Sequence, residues 1–88
     1  MMVYKLISYT VNVYSRAIND ALSKVNITQA IYLNTSVINY IEANYNLGHI
    51  SDDAYKYFYR RLYLLAGQNL EIALINADMS NLDKELIN

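Results

Sequence analysis

Apolar side chains recur along this chain at alternating four- and three-residue steps. One set runs Tyr4, Ile7, Val11, Tyr14, Ile18, Ala21 and Val25; a second Ile27, Ile31, Asn34, Ile38, Ile41 and Tyr45; a third Tyr55, Phe58, Leu62, Leu65, Asn69 and Ile72. An α-helix turns once in about 3.6 residues, so positions i, i+3, i+4 and i+7 share one face. The spacing predicts three amphipathic helices, each with a side to bury.

Polar residues between these sets place the helix ends. Asn26 precedes Ile27 with Gln29 three positions on, so the Asn26 side chain is placed to accept a free backbone N–H at the start of a helix. Gly48 after Asn46-Leu47 offers a left-handed cap, and Ser51 followed by Asp52 and Asp53 offers an N-cap with carboxylates at the positive end of the dipole. Gly67 costs about 1 kcal/mol relative to alanine inside a helix and marks a kink or a close helix contact. Ser80-Asn81-Leu82-Asp83 repeats the capping pattern, for a short last helix carrying Leu82, Leu86 and Ile87. The expected elements are helices over 3–25, 27–46, 52–77 and 81–87 in one domain, 1–88. The predicted class is all-α, an antiparallel three-helix bundle with a short fourth C-terminal helix.

Two other readings compete locally. Tyr9-Thr10-Val11-Asn12-Val13 alternates as a half-buried strand does, and a strand before two helices is the order of a ribbon-helix-helix domain. The helical spacing runs unbroken from Tyr4 through Val25, which favours a helix there. Thr28-Gln29-Ala30 opens a helix that resembles the start of a helix-turn-helix, but the expected turn glycine is missing.

Composition adds a demand for a partner. The chain is 55% hydrophobic and only 17% charged, against about 25% charged in an average domain, so 88 residues carry more apolar surface than one small core consumes. Leu6, Tyr9, Val13 and Ala17 form a second apolar strip on the first helix, and they are the expected interface of a homodimer. No run approaches the roughly 20 apolar residues of a membrane span, and the first residues lack a signal-peptide core, which places the protein in the cytoplasm with no membrane partner. The absence of cysteine excludes disulfides and thiolate metal sites.

Candidate chemistry is sparse. One histidine, no glycine-rich phosphate loop and no inward pair of carboxylates give no basis for an enzyme, a cofactor or a metal centre. His49 beside Asp52 and Asp53 reads as a helix cap or a solvated side chain. Ten tyrosines do stand out, because antiparallel helices bring Tyr4, Tyr9, Tyr40, Tyr45, Tyr55, Tyr57 and Tyr59 to one end. Lys56, Tyr57, Arg60 and Arg61 fall at that end and are the expected contact residues for a partner. Tyrosine presents a large rigid surface with a hydroxyl, and arginine pairs or stacks. Asn34 and Asn69 interrupt the apolar sets at inward positions, where a polar pair fixes register within a chain or across a dimer.

The runs Ile38-Asn39-Tyr40-Ile41-Glu42 and Tyr55-Lys56-Tyr57-Phe58-Tyr59-Arg60-Arg61, in a short chain without cysteine or proline, resemble the small helical proteins of crenarchaeal viruses and plasmids. The resemblance is one of style, carries no motif and transfers no functional residue. It implies a small regulatory, adaptor or host-interaction protein, working in the host-cell cytoplasm if viral. The expected function is a non-enzymatic protein-protein interaction module that self-associates. The alternative is a small nucleic-acid-binding regulator in which Lys and Arg track phosphates while tyrosines stack on bases; three or four cations in a chain of net charge -1 make a small phosphate footprint.

Overall fold

The computed structural model describes residues 2–87, with side chains placed through Asn81 and at Lys84. Among these residues the fold is all-helical: α1 spans Met2–Ser23, α2 Ile27–Asn46, α3 Asp52–Leu62 and α4 Gln68–Ile87, with a π-helical turn at Tyr63–Gly67 joining α3 to α4. The segment that alternates as a strand, Tyr9–Val13, lies inside α1.

The caps predicted at Asn26, Gly48 and Ser51 are present. Asn26 Oδ1 accepts from the Gln29 backbone N–H at 3.2 Å, and Ser51 Oγ accepts from that of Ala54 at 3.1 Å. Gly48 has φ +76°, while its N–H and that of His49 donate back to the Tyr45 and Asn44 carbonyls. The first helix ends differently. Val25, expected as the last apolar position of that helix, lies past its end with φ +57°. Asn26 N donates to Ala21 O and Val25 N to Leu22 O, the paired bonds of a Schellman cap with valine where glycine is usual. Val25 is 80% exposed.

The core joins Ile7, Val11, Ile18 and Ala21 of α1 to Ala30, Val37 and Ile41 of α2 and to Phe58, Leu62, Ala66 and Leu70 of the last helical stretch. Of the first predicted set, Ile7, Val11, Ile18 and Ala21 are buried and Tyr4 and Tyr14 half-buried, while Ser15, outside the set, is buried too. On α2 the centre of burial is Ala30–Val37–Ile41; Ile31 is exposed, and Ile27, Asn34, Ile38 and Tyr45 are half-buried. Contacts follow a consistent register. Tyr4 meets Phe58 at 6.2 Å between ring centroids, Asn12 meets Arg61, and Asn19 meets Leu65 and Asn69, whereas Tyr45 meets Tyr55.

The third set needs a correction, and the π turn is its cause. Beyond Leu62 the expected positions Leu65, Asn69 and Ile72 are exposed, and their successors Ala66 and Leu70 are buried while Ala73 is half-buried. A π turn holds one more residue than an α turn, so every later position slips by one. The slip lets Phe58, Leu62, Ala66 and Leu70, four residues apart, share a face that a regular α-helix would rotate away. Gly67 sits in this turn, where a Cβ would stand 3.3 Å from Cδ1 of Tyr63.

The separate helix expected at 81–87 is instead the end of α4, which passes through Ser80-Asn81 without a break. Capping residues do not stop a helix unless something removes its hydrogen bonds, and neither glycine nor proline stands after Gly67. The packing expected of Leu82, Leu86 and Ile87 lies outside the described side chains. From Asp52 to Ile87 the continuous stretch is about 54 Å long at roughly 1.5 Å per residue, matching the molecule's longest extent of 56 Å.

Candidate functional site

Tyr55, Tyr59 and Tyr63 recur every four residues, so α3 and the π turn set them in a row, with Lys56 and Arg60 in the adjoining row. Together these five residues line an open groove of about 610 Å³. Tyr45 of α2 extends the aromatic row, its ring 4.5 Å from that of Tyr55, which in turn is 5.8 Å from Tyr59. Offset rings at these separations attract beyond their area of burial.

Two carboxylates hold the ends of the row. Tyr45 Oη donates to Asp52 Oδ1 at 2.6 Å, and Tyr63 Oη donates to Glu71 Oε2 at 3.0 Å. Each bond favours the protonated phenol and raises the pKa of its tyrosine, assisted by the negative charge of the acceptor. Tyr55 is raised chiefly by burial, then by the charge of Glu42. At neutral pH these phenols remain hydroxyl donors, and the groove carries its charge on Lys56 and Arg60.

The four expected contact residues separate. Lys56 and Arg60 belong to the groove. Arg61 stands apart from them: its Nε and Nη2 both donate to Asn12 Oδ1 on α1, at 3.3 and 3.2 Å, and it is half-buried. Tyr57 is exposed on another side of α3, its ring edge-on to Phe58 at 5.4 Å, in a depression of about 280 Å³ that it shares with Arg60, Arg61, Leu64 and Leu65. The groove tyrosines 59 and 63 were not among the expected contacts, although their four-residue repeat beside Lys56 and Arg60 was readable.

Of the strip expected at a dimer interface, Leu6 and Tyr9 are exposed, while Val13 and Ala17 are half-buried. Within the chain the expected Asn34–Asn69 pair does not form. Asn69 Nδ2 donates to Asn19 Oδ1, and Asn34 borders a cavity of about 270 Å³ with its Oδ1 buried and unpartnered. The π turn is the reason, because the slip carries Asn69 off the inward face toward α1.

His49 is exposed with Nδ1 3.1 Å from Asn44 Oδ1. Among the described residues no three His, Cys, Asp or Glu side chains converge as metal ligands, and no helix is long and apolar enough to cross a membrane. Comparison with protein-family models, curated proteins and solved structures finds no match to this chain.

Proposed function

We propose that this chain is a non-enzymatic protein-protein interaction module, an adaptor, inhibitor or structural subunit, that works through the tyrosine and cation groove of α3. The helices on this reading run up, down and up as an antiparallel three-helix bundle. The register of contacts supports this: α1 and α3 advance together from Tyr4–Phe58 to Asn12–Arg61, whereas the end of α2 meets the start of α3 at Tyr45–Tyr55.

The observation that carries the proposal is the groove itself. Three tyrosine rings and two cations stand on one exposed face; Glu71 fixes Tyr63 at one end, and Asp52 fixes Tyr45, which packs on Tyr55 at the other. Preorganised aromatic surface binds with little loss of side-chain entropy. Cations beside it select a ligand with a carboxylate next to apolar or aromatic side chains. The style-level resemblance to viral and plasmid proteins agrees with such a role and adds no residue to it.

A nucleic-acid regulator remains the second reading, because Lys56 and Arg60 interleave with rings that bases would stack on. Engagement of Arg61 by Asn12 leaves that reading with fewer free cations. Peptide display against the protein, counter-selected with Tyr59→Ala/Arg60→Ala, tests the proposal. Enrichment of acidic, aromatic-containing peptides that the variant does not retain is expected. Failure to enrich, together with salt-sensitive binding of labelled oligonucleotides, would transfer the groove to nucleic acid.

A further inference from the structure

The outer side of the long C-terminal helix carries a row of apolar residues that stay exposed among the described residues. Leu64 is 59% exposed, Ile72 51%, Ile75 53% and Met79 53%. On α4, Ile72, Ile75 and Met79 follow the three-and-four step of a coiled-coil seam. The π turn makes this seam: by slipping the inward face onto Ala66, Leu70 and Ala73, it turns Ile72 away from the core. Gln68 lies between Leu64 and Ile72, and Tyr57 lies one turn before Arg60 on the same side of α3.

We infer that this row is covered by the same row of a second copy of the chain, with the two long helices antiparallel. The inference rests on the interaction-module reading and names its partner. Two observations select a second copy in that orientation. The chain exposes 6198 Å², whereas a compact monomer of 10.2 kDa exposes about 5300 Å². The surplus is close to the roughly 800 Å² that each partner contributes to a stable pairing.

Charge sets the direction. The exposed cations Lys56 and Arg60 lie on α3, and the exposed carboxylate Asp78 lies on α4. Asp52 is held by Tyr45, Glu71 by Tyr63 and Arg61 by Asn12, so these three stand outside the pairing. Antiparallel pairing brings Asp78 of each copy level with Lys56 and Arg60 of the other, whereas parallel pairing stacks like on like. A two-fold axis near Gln68 lets Leu64 meet Ile72 of the partner and Tyr57 meet Met79 of the partner. The groove of each copy then borders the partner's acidic helix.

The test is sedimentation equilibrium of the full chain with single-cysteine cross-linking, for which a cysteine-free sequence gives a clean background. Twice the monomer mass is expected at tens of micromolar, falling to the monomer mass in Ile75→Glu/Met79→Glu with helicity unchanged. Gln68→Cys is expected to self-cross-link under air oxidation. Tyr57→Cys mixed with Met79→Cys is expected to form the heterodimer, and Met79→Cys alone is not. A dimer that survives Ile75→Glu/Met79→Glu and dissociates with Tyr9→Glu would move the interface to α1 and overturn this surface. A monomeric wild-type protein overturns it too, and leaves the interaction reading standing if display still returns a groove-dependent peptide. Efficient Met79→Cys self-linking would show parallel pairing and sink the charge argument.

Discussion

Asn69 of α4 donates from Nδ2 to Oδ1 of Asn19 on α1 at 3.1 Å, and Asn19 Nδ2 donates to the Leu65 carbonyl at 2.9 Å. One α1 side chain therefore receives a bond from α4 and donates one to a backbone carbonyl inside the π turn. Asn19→Ala removes both bonds and should cost about 1–2 kcal/mol, against about 1 kcal/mol or less for Asn69→Ala. Urea denaturation of the two variants checks the order; an Asn69→Ala loss equal to that of Asn19→Ala would contradict it.

Asn34 has the opposite prospect. Its Oδ1 is buried without a partner beside a cavity of about 270 Å³ lined by Ile38, Leu62 and Leu70 among others. Asn34→Leu removes the unsatisfied acceptor and fills apolar space, so stability should rise by about 1 kcal/mol. Thermal melting read by circular dichroism is the check, and a lower midpoint would mean that the leucine strains the site.

Val25 holds a left-handed conformation that crowds its β-branched side chain, and 80% of that side chain's residue surface is in water. Val25→Gly relieves roughly 1–2 kcal/mol of strain and returns roughly 0.5–1 kcal/mol through the freer unfolded chain. A net gain of up to about 1 kcal/mol is expected. An unchanged or lower urea midpoint would show that valine packing at the corner outweighs the backbone cost.

Leu62 is buried where α3 enters the π turn, at the centre of the core. Leu62→Ala should cost about 2–5 kcal/mol, a large part of the stability of a domain this small. Leu64→Ala, two residues along and exposed, should change the monomer's stability by less than about 0.5 kcal/mol. Denaturant titrations at a concentration where the chain is monomeric separate the two.

Alkaline pH should loosen the α2–α3 junction. The pKa of Tyr45 is raised by its bond to Asp52, so as pH climbs past the ordinary tyrosine value near 10 the unfolded chain releases its proton first. Fewer protons on the unfolded state mean that stability falls with rising pH through the raised value, and is fully present below 10. Tyr63 with Glu71 adds in the same direction. Tyr45→Phe should be less stable at neutral pH and flatter above it. A Tyr45→Phe melting profile as steep as the wild type's between pH 9 and about 11 would remove Tyr45 from the account.

Much of this molecule is local, and local structure is legible in residue order. A cap depends on a few adjacent residues, so Asn26, Gly48 and Ser51 could be placed from their neighbours, and the absence of proline with an unbroken helical period favoured helix over the strand that Tyr9–Val13 also allowed. The inward face of α1 also followed from spacing alone, since Ile7, Val11 and Ile18 lie in one uninterrupted α-helix.

What spacing did not carry was phase across an irregularity. The π turn at Tyr63–Gly67 adds a residue without interrupting the helix, and no isolated sequence rule separates Leu65 from Ala66 as the buried one. Packing against α1 favours the small residue there, and the shift that goes with it moves Asn69 to Asn19, turns Ile72 outward and leaves Asn34 alone. Arg61 likewise became an internal ligand of Asn12 only because α1 lies against that flank of α3. Sequence by itself determined the helical class and the ends capped at Asn26, Gly48 and Ser51, since these rest on neighbours a turn apart. Tertiary structure decided which residues face outward and are free to bind, since facing is a relation between helices distant along the chain.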